Sequence, residues 1–205
     1  MAEYLRKHST HIVLCGASGP METLETISKR ASLKSFLSAR EVEQEKITKI
    51  LDAARLAPSA RNAQPWRFIV VRGKENVENV VTKAFFGFNQ IAKEAPVLII
   101  ACANPNDDDI HEGREYYLFD VGLAVENILL AATDLGLITH PMTAVNESEL
   151  RKVLHIPDEV RFVVATPLAY PRTHSYEEAA RERLNQCARK SLKEVAYSNV
   201  WGKPF

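Results

Sequence analysis

APSARNAQPWRFIVV, residues 57–71, changes character along its length, from a polar loop to an apolar strand. The second half, Phe68–Val71, is apolar and β-branched, which is typical of a buried strand. Trp66, at the junction, is predicted to pack in the core, because large aromatic side chains chiefly bury area. A loop that only reversed the chain would not need so many polar and φ-restricted residues. These are Pro58, Ser59, Asn62, Gln64 and Pro65.

Helices and strands alternate on both sides of this loop. Ser38 with Glu41 matches a capping box, and Ile47, Ile50 and Ala54 then recur at helical spacing. The residues 114–137 are apolar around much of a helix, which indicates burial on more than one side, and Gly136 suits a left-handed residue after the helix end. Further helices are predicted over 22–29, 74–83, 146–154 and from Ser175, and further strands over 97–103 and 160–168. Strands separated by helices, too few for a doubly wound sheet, predict a compact α+β layer structure.

The composition bounds the class of protein. The 205 residues are 46% hydrophobic and 25% charged, which predicts one domain over residues 21–205, preceded by an extension over residues 1–20. Lys+Arg and Asp+Glu are equal at 26 each, so no overall positive charge favours nucleic acid. The apolar run 95–103 is far shorter than the ~20 residues of a membrane span. Three cysteines without a CxxC pair indicate a reducing, cytoplasmic location.

A local anion site is suggested by KRASLKSF, residues 29–36. Arg30, Ser32 and Lys34 alternate, so an extended segment would place all three on one face. Two cations and a hydroxyl suit a phosphate group. The alternative is a solvated basic edge, the commonest situation for Lys and Arg. A second basic cluster, Arg189 and Lys190, lies near the other end of the chain, and spacing alone does not show whether the two meet.

Signatures of other enzyme classes are missing from the sequence. The six histidines show no HExxH spacing, and there is no CxxC pair, so a metal site is not expected. No GxSxG motif is present, and Cys102 in its apolar strand is predicted to be an inert core residue.

The motifs together resemble the FMN-dependent nitroreductase family. KRASLKSF and APSARNAQPWRFIVV are similar to the opening signature of that family, and the resemblance continues through NQIAKEAPVLIIACA, DVGLAVENILLAATDLGL, IPDEVRFVVATPLAYP and RKSLKEVAYSNVWG. The opening signature and the four further segments follow the order of the family and cover about residues 22–202. The resemblance implies a mixed, mainly antiparallel sheet flanked by helices, in an interlocked homodimer with FMN at the interface.

The resemblance also implies roles for individual residues. Arg30, Ala31 and Ser32 would lie at the FMN phosphate and ribityl chain, with Arg189 and Lys190 approaching the phosphate from the C-terminal arm. Lys34 and Asn89 would lie near the uracil edge of the flavin, where a cation stabilises the reduced ring. The segment Met142, Thr143, Ala144 would approach flavin N5. The polar loop would offer the flavin of the other subunit a rigid edge through Pro58, Ser59 and Ala60, with Asn62 and Gln64 fixing the loop or reaching the ring.

The implied activity is hydride transfer from NAD(P)H to flavin N5, followed by reduction of a nitroaromatic, quinone or similar acceptor in a ping-pong cycle. No catalytic side chain is expected, because flavin N5 carries the chemistry. Ala31, Ala169 and the Thr143-Ala144 pair depart from the family pattern and bear on acceptor range. Two alternatives stay open: a specialised relative that performs dehalogenation, dehydrogenation or flavin breakdown, and a non-catalytic flavin-binding protein. The charged segment 174–186 is expected to be a solvated surface, the alternative being a cover over the site entrance.

Overall fold

A computed structural model describes residues 22–172 and 175–205, without the side chain of Lys34. The extension predicted over residues 1–20 lies outside the described residues. The helices are α1 (Thr23–Lys29), α2 (Gln44–Arg55), α3 (Lys74–Ala84), α4 (Tyr117–Asp134), α5 (Glu147–Leu154), α6 (Tyr176–Gln186) and α7 (Leu192–Val195). The strands are β1 (Trp66–Arg72), β2 (Val97–Ala103), β3 (Ile110–His111), β4 (Arg114–Glu115), β5 (Ile138–Thr139) and β6 (Arg161–Ala169).

The sheet has the strand order β1-β2-β6-β5, and every neighbouring pair is antiparallel. A parallel bridge joins Ser32 to Thr139 of β5, so the sheet is mixed but mainly antiparallel, as predicted. The strands β3 and β4 form a separate two-stranded hairpin.

The core has two sides because β2 is buried on both faces. Its side chains alternate with a period of two residues. Leu98, Ile100 and Cys102 pack with α3 and α5, whereas Ile99 packs with α2 and α4 and Ala101 packs with Trp66. All seven residues of the strand are buried. The sheet is therefore the middle layer between two helical layers, and the predicted core position of Trp66 is confirmed.

The end of α4 follows the sequence prediction closely. Gly136 has a φ of 73°, a left-handed conformation that a residue without Cβ adopts readily. The Leu137 N–H donates to the Ala132 carbonyl at 2.8 Å, and the Gly136 N–H donates to the Thr133 carbonyl at 3.1 Å. These two bonds form a Schellman motif and end the helix.

The capping box predicted at Ser38 is wrong. Helix α2 begins at Gln44, with Glu43 at the N-cap position. The Ser38 N–H donates to the Tyr170 carbonyl at 3.1 Å, and the Ser38 hydroxyl accepts a bond from the Arg40 N–H instead. Because this tertiary bond ties Ser38 to the chain after β6, helix α2 starts several residues later. The other predicted cap holds: the Asn146 side chain accepts from the Glu149 N–H at the start of α5.

Candidate functional site

Two of the predicted anion-binding side chains meet at the β5 edge of the sheet. The chain leaves α1 in an extended conformation at Arg30, and Ser32 pairs with Thr139. The Arg30 Nη1 donates to the Ser32 Oγ at 3.2 Å, and both residues are half-buried. Ala31 between them is buried. A guanidinium and a hydroxyl held together suit a phosphate group.

The extended segment ends sooner than predicted. Lys34 begins a short 3-10 helix, Lys34–Phe36, so the alternation does not continue through Lys34. Phe36 contacts Tyr176 edge to face, with ring centroids 5.9 Å apart. Burial raises the pKa of Tyr176, and the nearby charge of Arg30 opposes this shift. The start of α6 therefore lies close to the Arg30–Ser32 pair.

The segment 142–144 lies along the same edge of the sheet. Met142 is buried, and its backbone N–H and carbonyl both bond to Ala165, at 2.7 and 3.0 Å. Thr143 and Ala144 are exposed, and no described residue accepts a hydrogen bond from the backbone N–H of either. The Ala144 carbonyl accepts from the Asn89 Nδ2 at 3.4 Å, so the structure brings Asn89 to this segment. The two N–H groups are available to a ligand acceptor.

The Pro-Ser loop, residues 57–65, connects α2 to β1 and has an unusual backbone. Arg61, Asn62 and Gln64 have φ angles of 48°, 59° and 50°, a left-handed region that non-glycine residues seldom adopt. The Ser59 hydroxyl accepts from the Gln64 N–H at 3.0 Å, and the Ser59 carbonyl accepts from the Asn62 N–H at 3.0 Å. The polar residues of this loop therefore hold it in one strained shape.

Side chains from three other elements also hold the Pro-Ser loop. The Ala60 N–H donates to the Asp120 Oδ2, on α4, at 2.8 Å. Arg67 on β1 donates to the Gln64 carbonyl at 3.0 Å and forms an ion pair with Asp107. Arg61 forms an ion pair with Asp109. Asp107 and Asp109 belong to the acidic loop, residues 104–109, which follows β2.

Asp120 is a site residue that sequence reasoning missed. It is a carboxylate on the buried face of α4, with 2% of its surface exposed. Burial raises its pKa, as does the neighbouring Asp108 carboxyl, while the bond from Ala60 opposes the shift. The sequence contained one signal, since Asp120 is an ionisable residue within the apolar pattern of 114–137. Such a residue is seldom fully buried without a partner, so its position indicated that a partner exists.

The Pro-Ser loop and the Arg30–Ser32 pair lie at opposite corners of the sheet. Trp66, at the end of the loop, aligns with Ala103 and then with Arg161, whereas Ser32 aligns with Thr139 and then with Leu168. Residues 161 to 168 span about 23 Å along β6, and the four strand steps add about 19 Å across the sheet. One chain therefore does not bring the two groups of predicted residues together.

The C-terminal arm, residues 187–205, stands apart from both groups. Arg189 and Lys190 are exposed, and the Arg189 guanidinium donates to the Cys187 carbonyl at 3.1 Å. Within the described residues, the arm makes hydrogen bonds only to itself and to the end of α6. The predicted approach of Arg189 to the Arg30–Ser32 pair is not formed within one chain.

Other candidate chemistry finds little support in the described residues. No group of three or more His, Cys, Asp or Glu side chains there is arranged to hold a metal ion. In the same part of the chain, no helix has the length and apolar character needed to cross a membrane. Burial raises the pKa of Cys102 to about 11, so its thiol stays protonated at neutral pH, as expected of an inert core residue.

The segment predicted as a charged surface forms α6, of which Ala180 is buried; Thr173 and His174 lie outside the described residues.

This chain is similar to known proteins over most of its length. The Nitroreductase family model matches residues 27–88 and 81–170. A Methanothermobacter thermautotrophicus protein with the provisional name NADH dehydrogenase/NAD(P)H nitroreductase is 37% identical over 161 residues, covering 76% of this chain and 81% of its own. A Thermotoga neapolitana iodotyrosine deiodinase is 28% identical over 174 residues, covering 74% and 90%.

Solved structures show the same fold. A nitroreductase family protein from Clostridium novyi NT is 35% identical, with a TM-score of 0.69 over 90% of this chain and 97% of that one. An FMN-dependent nitroreductase from Clostridium difficile R20291 is 28% identical, with a TM-score of 0.64 over 74% and 88%.

Proposed function

This chain belongs to the Nitroreductase family, and from that premise we propose that it is an FMN-dependent oxidoreductase. It takes a hydride from NAD(P)H and delivers it to a nitroaromatic, quinone or similar acceptor. The observation that carries the proposal is the donor set at the β5 edge: the Arg30–Ser32 pair, and the exposed N–H groups of Thr143 and Ala144.

The spacing of these donors fits FMN. Ser32 lies beside Thr139, and Thr143 lies four residues further along the chain. An extended segment of that length spans about 13 Å. Arg30 and Ser32 then bind the phosphate end, while the Thr143 and Ala144 N–H groups donate to the acceptor atoms near flavin N5. Asn89, held against the Ala144 carbonyl, would then contact the uracil edge of the flavin.

When bound, FMN supplies the ring atom that accepts and returns the hydride. The residues of the chain bind and orient it, and the lack of a dinucleotide-binding fingerprint in the sequence suits a nicotinamide held briefly by stacking. The acceptor then uses the same space after the nicotinamide leaves. We therefore propose a ping-pong cycle in which no side chain transfers the hydride.

A second copy of the chain completes the site. The Pro-Ser loop lies too far from Arg30 to serve the same flavin within one chain, so it serves the flavin of the partner. Exposed apolar side chains mark the surfaces available for pairing. They include Leu24 and Ile27 on α1, Leu118 and Phe119 on α4, and Val195, Val200, Trp201 and Phe205 in the C-terminal arm. Burying such surfaces drives association of a homodimer.

The proposal is tested by visible absorption spectra of the purified protein under anaerobic conditions, before and after NADH or NADPH is added. A bound flavin that either donor bleaches is the expected result. A protein that binds no flavin, even with added FMN, would contradict the proposed cofactor.

A second candidate function rests on the similarity to the Thermotoga neapolitana deiodinase. A flavin that dithionite bleaches but neither nicotinamide does would favour this specialised reductive dehalogenase. Reoxidation of the reduced protein by iodotyrosine, with release of iodide, would identify it. Reoxidation by a quinone or nitroaromatic after bleaching by NAD(P)H would support the first function instead.

A further inference from the structure

The Pro-Ser loop is held in a conformation that the chain does not favour by itself. Three of its non-glycine residues have positive φ angles, and each such residue costs roughly 1–3 kcal/mol. Arg61 is one of these, and unlike glycine it carries a Cβ atom that disfavours a positive φ. A strained loop persists only where its surroundings fix it. The groups that fix this loop therefore determine the edge that it presents to a ligand.

The innermost of these fixing groups is Asp120. Its Oδ2 accepts from the Ala60 N–H at 2.8 Å, and its side chain is almost completely excluded from solvent. The ion pairs Arg61–Asp109 and Arg67–Asp107 lie outside it and are largely exposed. Exposed ion pairs contribute little to stability, whereas a buried charged hydrogen bond contributes more.

Asp108 places a second carboxyl against Asp120. Its Oδ1 accepts from the Asp109 N–H at 2.7 Å. The Asp109 carbonyl accepts from the Tyr116 N–H at 3.0 Å, and the Asp109 carboxylate pairs with Arg61. These contacts bring Asp108 to the start of α4 beside Asp120. The Asp108 Oδ2 is buried, and none of the described residues donates to it. Two ionised carboxylates are both acceptors and repel each other, so this contact needs a proton between them.

We propose that Asp108 and Asp120 share one proton, and that the protonated pair is the positioning element of the Pro-Ser loop. Asp108 and Asp120 touch neither substrate nor cofactor; they act through Ala60. The proposal rests on the proposed function, because the loop matters only if it faces a flavin. The shared proton gives the Asp108 Oδ2 a hydrogen bond. The pair then keeps one negative charge, and the hydrogen bond that Asp120 accepts from the Ala60 N–H depends on this charge.

Three arginines near the pair are already bound to other carboxylates. The Pro-Ser loop contributes Arg61, bound to Asp109, and β1 contributes Arg67, bound to Asp107. Strands β6 and β4 contribute Arg161 and Glu115, whose atoms approach to 2.9 Å, with Tyr117 beside them. The β3–β4 hairpin contributes the exposed residues His111, Glu112 and Arg114. The three arginines Arg61, Arg67 and Arg161 are each paired with a carboxylate outside the Asp108–Asp120 pair.

The sign of the pH dependence follows from the direction of the shift. The pKa of Asp120 is raised, so the folded protein holds this proton more tightly than the unfolded chain does. The stabilising effect is greatest at low pH and is lost as pH rises from the ordinary aspartate range, about 3.9, through the raised pKa. Above that pKa the two charges repel, and the repulsion loosens the attachment of Ala60 to α4.

The first experiment finds the proton without using flavin. Full-length protein with 13C-labelled aspartate is titrated, and the carboxyl carbons are followed by NMR. We expect a carboxyl titration that lies above the usual aspartate range and that is missing from Asp108→Asn and from Asp120→Asn. If every aspartate signal titrates within the usual range, the shared proton is excluded.

The second experiment tests positioning by measuring the FMN dissociation constant on both sides of that midpoint. Asp108→Asn keeps a donor toward Asp120 at every pH and therefore imitates the protonated pair. Below the midpoint wild type and variant should bind equally well, and above it wild type should bind about tenfold more weakly, the order of magnitude expected for one lost hydrogen bond. Titration of the FMN phosphate changes both dissociation constants equally, so their ratio does not depend on it.

Asp52→Asn is the matched control, because it removes a carboxylate from the exposed Arg55–Asp52 pair on α2. The ratio of its FMN dissociation constant to that of wild type should not change with pH. A ratio for Asp108→Asn that is also independent of pH would overturn the positioning role even if the proton is found. Absence of FMN binding in all three proteins would instead contradict the proposed function, while the NMR result would still stand.

Discussion

The Pro-Ser loop and the C-terminal arm both carry residues predicted to bind the cofactor, yet the chain holds them in opposite ways. The loop is strained and is fixed by Asp120, Arg67 and Asp109 from three neighbouring elements. The arm bonds only to itself and to the end of α6, within the described residues, and Trp201 is 89% exposed. The loop is thus preorganised within one chain.

The difference indicates what each region needs from its surroundings. The arm has internal order: the Ser191–Glu194 capping box starts α7, Tyr197 pairs with Pro204, and the Tyr197 and Trp201 rings lie 4.7 Å apart. Its apolar side chains nevertheless have no core to enter. A second chain would provide one, and the following substitutions test this difference between the Pro-Ser loop and the C-terminal arm.

The largest effect is expected from Trp201→Asp. A large aromatic at the centre of an interface contributes about 2–4 kcal/mol, and the proposed dimer contains two copies. We expect the variant to sediment as a 23.0 kDa monomer, whereas wild type should sediment at twice that mass. Lys193→Asp in the same arm, at a position that is already charged and exposed, is the control and should remain dimeric. A monomeric wild type would refute the role given to the arm.

Arg30→Ala should have the next largest effect. Loss of a hydrogen bond to a charged group costs about 1.5–3 kcal/mol, and Arg30 is half-buried, which favours the upper part of that range. Fluorescence titration with FMN should show the loss, while the thermal unfolding temperature stays near that of wild type. Arg30→Lys should recover part of the affinity. Full FMN affinity in Arg30→Ala would mean that the FMN phosphate binds at another part of the chain.

Arg189→Ala should weaken FMN binding by an amount in the lower part of the same range, about 1.5–3 kcal/mol, because Arg189 is exposed in the isolated chain. The loss should appear only in the dimer, since Arg189 does not reach Arg30 within one chain. Isothermal titration of the dimeric variant measures it. An unchanged dissociation constant would remove Arg189 from the phosphate site.

Asp107→Ala should have the smallest effect. The Arg67–Asp107 pair is exposed, and such pairs contribute about 0.2–1 kcal/mol. FMN affinity should fall by no more than about fivefold, with no dependence on the Asp108–Asp120 midpoint. A larger loss would mean that the outer ion pairs, rather than the buried pair, hold the Pro-Ser loop.

Two identical local signatures show how far the sequence predicts the structure. Ser191 and Glu194 form a capping box, yet Ser38 and Glu41 have the same spacing and do not. The reason is tertiary: Ser38 is bonded to Tyr170, far away in the chain. The strand over the continuous apolar run 97–103 and the helix over the apolar pattern of 114–137 were predictable because burial alone fixes them.

The site was predictable only in part, for a similar reason. Arg30 and Ser32 are brought together, as their alternation suggested, whereas the contact of Asn89 with Ala144 was not predicted. Asp120 was missed because its partners, Ala60 and Asp108, are far from it in sequence, and only the fold brings the three together. The separation of the Pro-Ser loop from Arg30 likewise depends on strand order, which a linear pattern does not contain.

The most direct test of the account mixes two defective subunits. Arg30→Ala damages the sheet-edge half of the site, and Pro58→Trp places a bulky side chain on the exposed Pro-Ser loop. Each variant alone should fail to bind FMN tightly. After the two are mixed and the chains exchange, random pairing in twofold dimers should restore about one quarter of the sites, because each mixed dimer contains one site built from two intact halves. No recovery, in mixed dimers verified by mass, would contradict a flavin site shared between two chains.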